Sequence, residues 1–217
     1  MATTLVIGNK NYSSWSLRPW LLLSHHGVPF TERRLLLDTP EFHAEVAQWS
    51  PSRRVPALHD GGLVLWDSLA ICEYANERWL DGQGWPADLA LRAVARCAAA
   101  EMHSGFGALR SQLPMNVRRQ PRLPHWDDAA NADIARVQEI WHDLRTRSGN
   151  GGPFLCGEHF GIVDAMFAPV CVRFRGYCVP LDATATAYLR AIFALPAMQA
   201  WEAAALLETE RVASDEA

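Results

Sequence analysis

The stretch that decides the fold is Arg53–Trp79, RRVPALHDGGLVLWDSLAICEYANERW. Two short apolar runs, Ala57–His59 and Leu63–Trp66, flank Asp-Gly-Gly, which has the composition of a tight turn, so they predict a β-hairpin. Asp67 and Ser68 follow, and both types favour a helix N-terminus because their oxygens accept bonds from unpaired N–H groups. Apolar residues then recur at helical spacing, which predicts a helix with one apolar face.

The N-terminus of this predicted helix is a candidate binding site. Backbone N–H groups at a helix N-terminus attract anions, so the Ser68 N–H and hydroxyl can hold a carboxylate. Asp67 beside it can bind an ammonium, and together they suit the two ends of an amino-acid group. An ordinary helix cap is the alternative. Pro56, just before the hairpin, is either an edge-strand or turn proline or a cis proline.

The chain before this stretch predicts the rest of a sheet. Thr4–Gly8 reads as a buried strand, Ser16 as the cap of a helix that Gly27 closes, Thr31–Leu37 as a second strand and Pro40–Trp49 as a short helix. A strand–helix–strand unit implies parallel neighbours. With the hairpin it gives a mixed four-stranded sheet, the α/β thioredoxin-like architecture.

The chain after this stretch predicts an all-α domain. Gly82, Gly84 and Pro86 mark a linker, so we expect one domain over residues 1–80 and a helical domain over residues 87–217. Helical periodicity predicts one long helix from Asp88 to about Leu113.

Further signals mark the later helices and the end of the chain. Asp127 or Asp128 is expected to cap the second helix of this domain. Gly161 with Asp164 three residues later predicts a capped helix start, and Asp164 is read as structural. The polar tail from Glu208 to Ala217 is expected to fray.

Composition limits the functional classes. Apolar residues make up 49% of the chain, charged residues 20%, and the net charge is −4, which is typical of a folded protein and does not favour nucleic-acid binding. No apolar run has membrane-spanning length, so no membrane partner is expected. Five cysteines without CxxC or zinc spacing, and no signal peptide, favour a cytoplasmic location. The histidines lack a ligand pattern, so no metal is predicted.

The order Val-Pro, hairpin, acidic-Ser and amphipathic helix resembles the N-terminal domain of cytosolic glutathione transferases. The resemblance implies that Val55-Pro56 is a cis peptide, that the Val55 backbone pairs with the cysteinyl part of glutathione, and that Asp67 and Ser68 hold its γ-glutamyl end. Arg54 is assigned to the same glutathione site. The family more often carries Glu or Gln where Asp67 stands.

A second motif lies between the first strand and the first helix. Tyr12–Arg18, YSSWSLR, places three serines where a βα turn presents hydroxyls to a ligand, although they can equally cap the helix. It is similar to the Ser-Ser-Cys-Ser-x-Arg motif of zeta-class enzymes and to the serine motifs of the theta and tau classes, so the chain resembles a bacterial, serine-type member. Aligned on the serines, Ser13 is the thiol-activating hydroxyl and Ser14 its rival. Trp15 stands where zeta enzymes carry cysteine.

The resemblance implies an enzyme that adds the glutathione thiolate to a small electrophile, as a homodimer. Two alternatives remain: a zeta-like glutathione-dependent cis–trans isomerase, and a non-catalytic module that binds glutathione or a protein. The second substrate is expected between the domains, where Arg110 either attracts an anionic electrophile or is an ordinary solvated surface arginine. The residues predicted for this pocket are His103, Phe106, Arg110, Met115 and Asn116.

Overall fold

The structure is a computed structural model that describes residues 3–120, 126–149 and 151–216. The N-terminal part contains β1 (Thr4–Ile7), α1 (Ser14–His25), β2 (Thr31–Arg34), α2 (Pro40–Trp49), β3 (Ala57–Asp60), β4 (Leu63–Trp66) and α3 (Ser68–Arg78). The remainder contains α4 (Leu89–Ser104), α5 (Gly107–Gln112), α6 (Asp128–Arg147), α7 (Ile162–Gly176), α8 (Ala183–Ala194), α9 (Pro196–Leu207) and a 3-10 turn at Ala213–Asp215.

The four strands form one mixed sheet in the order β2-β1-β3-β4. Strand β1 is parallel to β2, which follows across the α1 crossover, and antiparallel to β3. Strands β3 and β4 form the predicted antiparallel hairpin. The thioredoxin-like domain followed by a helical domain is therefore confirmed.

Helix α3 begins as the sequence predicts. The Asp67 carboxylate oxygen Oδ1 accepts hydrogen bonds from the backbone N–H groups of Leu69 at 2.9 Å and Ala70 at 3.1 Å. Asp67 has a φ of +79°, a backbone region that L-residues rarely adopt. Such a residue costs about 1–3 kcal/mol and is typical of functional turns.

Helix α1 starts earlier than predicted. It begins at Ser14 and follows Ser13, so the assignment of Ser16 as its cap is wrong. The Ser16 hydroxyl instead accepts a hydrogen bond from the Gly8 backbone N–H at 3.1 Å, which ties the helix to the end of β1. Strand β2 ends at Arg34, three residues before the predicted limit.

The predicted long helix after the linker is two helices. Helix α4 ends at Ser104, and Phe106 turns into the core with a φ of +61° before α5 begins at Gly107. Two glycines within three residues weaken the helix here, because glycine loses more backbone freedom than other residues on folding. The break places Arg110 and Met115 on a separate short segment.

Helix α7 is buried along nearly its whole length and packs against α1, so it joins the two domains. The Asp164 oxygen Oδ2 accepts the Gly161 N–H at 3.0 Å, which confirms the predicted cap. A Cβ on Gly161 would lie 2.7 Å from the Gly84 carbonyl oxygen, closer than contact distance. The close approach of the linker therefore leaves no room for a side chain at this cap.

The tail does not fray within residues 208–216, contrary to the prediction. The Glu208 side chain is buried, and the Arg118 guanidinium donates to the backbone carbonyls of Glu208 and Glu210. The Tyr12 hydroxyl donates to the Glu216 carboxylate. The tail is thus anchored on the loop that carries the serines, while Ala217 lies outside the described residues.

Candidate functional site

A cavity of about 440 Å³ opens between the two domains, beside the loop from β1 to α1. Its lining from the N-terminal domain is Tyr12, Ser13, Ser14, Trp15, Leu37, Phe42, Arg53, Arg54 and Val55. Its lining from the helical part is Arg110, Pro114, Met115, Arg173 and Asp215.

Both candidate serines line this cavity, but their hydroxyls differ in hydrogen bonding. The Ser13 hydroxyl donates to the Ser16 hydroxyl at 2.7 Å, and Ser16 is fully buried. The Ser14 hydroxyl has no hydrogen-bond partner among the described residues. Both serines lie at the first turn of α1, where the helix dipole favours negative charge. The site can therefore stabilise an anion such as a thiolate.

The hairpin side of the site carries the cis proline. The Val55–Pro56 peptide is cis, as the resemblance implies, and Pro56 is buried. Val55 and Arg54 line the cavity. The backbone of Val55 is therefore available beside the two serines.

The start of α3 lies against a buried cation. Ser68 is buried, and its hydroxyl accepts a hydrogen bond from Arg18 Nη1 at 3.4 Å. Arg18 is fully buried, and within the described residues its Nε and Nη2 atoms have no partner. Burial and the neighbouring charges of Arg110 and Arg173 lower the pKa of Arg18. An unpaired positive charge thus lies next to the Ser68 hydroxyl.

Asp67 is engaged on both of its oxygens. Oδ1 caps α3, and Oδ2 lies 2.9 Å from His103 Nε2 on α4. The contact between His103 and Asp67 therefore joins the two domains. The side chain of Asp67 is 38% exposed, so a ligand can still reach it.

Trp15 contacts two guanidinium groups. The Arg18 Cζ atom lies 4.1 Å from its ring centroid, and the Arg110 Cζ atom lies 4.7 Å from the same centroid. The His103 ring meets it edge-on with centroids 5.3 Å apart. Trp15 thus joins α1 to the helical domain.

The structure divides the predicted pocket residues into two groups. Arg110 and Met115 line the cavity, whereas His103, Phe106 and Asn116 do not. Phe106 is buried in the core because the break between α4 and α5 turns it inward. The Asn116 side chain bonds to Asn11 and to the Asp215 carbonyl, so it fastens the tail.

Several cavity residues were not predicted as site residues, and among them Arg173 and Asp215 come from the helical part and the tail. Arg173 was detectable in principle, since it is a charged residue in the apolar run of α7. No sequence feature indicated that Asp215 lies at the cavity, because its position depends on how the tail packs. Among residues 3–120, 126–149 and 151–216, no three metal-ligating side chains converge. Within the same ranges, no helix has both the length and the apolar character needed to cross a bilayer.

The thioredoxin-like fold, the cis proline and the paired serines define a two-domain thioredoxin-fold protein with a site between its domains. Two family models match the chain in succession: the glutathione S-transferase N-terminal domain over residues 12–78 and the C-terminal domain over residues 79–204. The chain therefore belongs to the glutathione transferase family.

Curated relatives and solved structures agree with this assignment. The chain is 28% identical to mouse glutathione S-transferase theta-3 over 67% of its own length and 62% of the relative's, so less than two thirds of that relative is matched. It is 25% identical to rat maleylacetoacetate isomerase over 88% of the chain and 87% of the relative. Its fold is similar to that of a glutathione transferase homologue from Burkholderia GL BGR1 with bound glutathione, with 24% identity, a TM-score of 0.71 and coverage of 95% and 99% of the two chains.

Proposed function

We propose that this protein adds the thiolate of glutathione to a small electrophile. The observation that carries the proposal is the convergence of two serine hydroxyls, the cis Val55–Pro56 segment and Arg54 around one cavity between the domains. Family membership supports the same reaction class.

Glutathione would lie along the N-terminal side of the cavity and reach past it to the start of α3, since neither Asp67 nor Ser68 lines the cavity itself. Its γ-glutamyl carboxylate binds the Ser68 hydroxyl and the N-terminus of α3, with the Arg18 charge behind. Asp67 faces the γ-glutamyl ammonium through its Oδ2 atom. The Val55 backbone pairs with the cysteinyl residue, and Arg54 holds the glycyl carboxylate.

Ser13 is the proposed thiol-activating residue. A free thiol has a pKa of about 8.5, so only a few per cent is ionised at neutral pH. A hydroxyl that donates to sulfur stabilises the thiolate more than the thiol and lowers this pKa. Ser13 would exchange its present acceptor, Ser16, for the sulfur. Ser14 is the rival donor because its hydroxyl is already free among the described residues.

A glutathione-dependent cis–trans isomerase is the second candidate. It is favoured by the similarity to rat maleylacetoacetate isomerase, which extends over 88% of the chain. The role of Ser13 would be the same, but the thiolate would add to the double bond, rotation would occur about the resulting single bond, and elimination of the thiolate would re-form the double bond. Trp15, in place of the zeta-class cysteine, counts against it. A glutathione-binding module without turnover is the remaining alternative.

The proposal is tested with a neutral electrophile, 1-chloro-2,4-dinitrobenzene, in steady-state assays of wild type, Ser13→Ala and Ser14→Ala. We expect Ser13→Ala to reduce kcat at least 100-fold while glutathione affinity, followed by tryptophan fluorescence, changes little. Ser148→Ala, whose hydroxyl bonds only to the Arg145 carbonyl among the described residues, is the matched control. Loss of activity in Ser14→Ala alone would transfer the role to Ser14. Glutathione binding without turnover of this or other electrophiles would support the binding module.

The proposal also covers the domain boundaries, the oligomeric state and the location of the protein. We propose a glutathione-binding domain over residues 1–80, a helical domain over residues 87–217 and a cytoplasmic homodimer. The support is family resemblance, and light scattering after size-exclusion chromatography tests the dimer. A monomer mass near 24.2 kDa would contradict it.

A further inference from the structure

The helical side of the cavity presents two arginines without carboxylate partners. Arg110 Nε donates to the Gly105 carbonyl at 2.9 Å, and its Nη2 donates to the Met102 carbonyl. Arg173 Nη1 donates to the carbonyls of Leu113 and Arg110. Among the described residues, neither guanidinium forms an ion pair. Backbone carbonyls orient both groups, and the nearest carboxylates, Asp133 for Arg110 and Asp215 for Arg173, act on them without an ion-pair contact.

The positive charge of Arg173 is buried. Arg173 is 6% exposed, and burial together with the charge of Arg110 lowers its pKa to about 10. It therefore remains charged at neutral pH. A buried charge is costly unless a counter-ion accompanies it. Arg18, behind Trp15, adds a third positive charge. The cavity is thus electrostatically prepared for an anion.

The protein supplies one carboxylate of its own to this region. Asp215, in the anchored tail, lines the same cavity and interacts electrostatically with Arg173. Its backbone carbonyl accepts from Asn116 Nδ2 at 3.2 Å, which fixes the tail beside the cavity. An incoming anion would meet Asp215 as a like charge competing for the same arginines.

We propose that the electrophilic substrate carries a carboxylate that Arg110 and Arg173 bind, and that Asp215 competes with it. The proposal rests on the glutathione-dependent reaction proposed above and specifies its substrate class. Arg173 and Asp215 then determine charge specificity with opposite signs. Neutral electrophiles would gain nothing from either residue.

Two glutathione conjugates that differ only in an aryl carboxylate test whether the site recognises that charge. In 4-chloro-3-nitrobenzoate the thiolate attacks the carbon that bears chlorine. The C–S bond forms, the C–Cl bond breaks, chloride leaves with the bonding pair, and the thiol proton passes to solvent. The product is S-(4-carboxy-2-nitrophenyl)glutathione, and the corresponding benzamide gives S-(4-carbamoyl-2-nitrophenyl)glutathione, whose aryl group is uncharged. Both conjugates can be made chemically, so their binding is measurable whether or not the protein turns over.

The experiment is isothermal titration calorimetry of both conjugates with wild type, Arg173→Gln, Asp215→Asn and the control Arg147→Gln, an exposed arginine paired with Asp143. We expect wild type to bind the carboxylate conjugate at least tenfold more tightly than the carbamoyl conjugate. Arg173→Gln should abolish the preference, Asp215→Asn should increase it severalfold, and Arg147→Gln should leave it unchanged. Because each result is a ratio within one variant, a general loss of folded protein does not alter it.

The outcomes separate the two proposals. Equal affinity of wild type for both conjugates would overturn the anion site even if 1-chloro-2,4-dinitrobenzene is turned over. A preference that survives Arg173→Gln, or that falls in Asp215→Asn, would also overturn it. A preference with the expected variant pattern but no turnover would support the anion site and reject the transferase reaction.

Discussion

The Glu208 carboxylate accepts a hydrogen bond from the Asn11 backbone N–H at 2.9 Å across 197 residues of sequence. Its other oxygen accepts the Lys10 N–H at 2.7 Å and lies 2.9 Å from Arg34 Nη1. The end of the chain therefore orders the loop that leads from β1 to the serines. This contact is central to the site, because Ser13 follows Asn11 by two residues.

Glu208→Gln is expected to destabilise the protein, because one oxygen becomes an amide that cannot accept. Hydrogen bonds to charged groups contribute about 1.5–3 kcal/mol each, so a loss of about 2 kcal/mol in the free energy of unfolding is expected. Urea denaturation measures it. Glu202→Gln, which breaks the exposed pair with Arg175, should change the free energy much less. Equal effects of the two variants would show that the tail contact is not special.

Trp15→Cys removes the ring that contacts the Arg18 and Arg110 guanidinium groups. A cation–π contact contributes about 0.5–2 kcal/mol, so losing two should lower the free energy of unfolding by about 1–4 kcal/mol. Trp15→Phe retains a smaller ring and should lose less. Denaturant unfolding of the three proteins gives the comparison. Equal stability of Trp15→Cys and Trp15→Phe would contradict the stacking interpretation.

Arg18→Met separates stability from binding. Two Arg18 nitrogens are buried without partners among the described residues, and an unsatisfied buried donor costs about 1–3 kcal/mol. Removing two unsatisfied donors should outweigh the loss of the cation–π contact with Trp15, so an apolar side chain of similar length should raise the unfolding temperature. It should also weaken glutathione binding about tenfold, because Ser68 loses the neighbouring charge. Thermal unfolding and glutathione titration test both, with Arg18→Lys as the control that keeps the charge. A lower unfolding temperature with unchanged affinity would reject this role.

Local patterns predicted the parts of the fold that local energetics determine. The Asp67 cap, the Gly161–Asp164 cap and the hairpin each depend on contacts between residues close in sequence, and all three are confirmed. The break near Phe106 was missed because the apolar periodicity continues through it. Two glycines there carried the contrary signal.

The candidate site was more predictable on the side formed by the N-terminal domain than on the helical side. The serine loop and the Val55-Pro56 step are short contiguous motifs. Arg173 and Asp215 reach the cavity through the packing of α7 and of the tail. Both are far in sequence from the serine loop, so no short motif predicts that they meet it. The prediction that the tail frays was wrong because polar residues are equally compatible with exposure to solvent and with buried hydrogen bonds. Their buried partners, such as the Lys10 and Asn11 N–H groups, become visible only in three dimensions.

Asp164 gives a pH dependence opposite to that of most carboxylates. Burial raises the pKa of Asp164 from 3.8 to about 6, although the backbone N–H groups of Leu155 and Gly161 donate to it and oppose the shift. Between about pH 4 and pH 6 the folded state therefore holds a proton that the unfolded state has lost. Stability rises with pH only where the unfolded state binds more protons, so this group makes stability fall as pH rises through that window.

The measurement compares wild type with Asp164→Asn, which cannot titrate. The free energy of unfolding of wild type relative to Asp164→Asn should decrease by up to about 1.4 kcal/mol for each pH unit between pH 4 and pH 6, and stay constant above pH 7. Asp128→Asn removes an exposed carboxylate and controls for net charge. A difference that grows with pH across this window would mean that the two N–H donors outweigh burial and that Asp164 is ionised throughout.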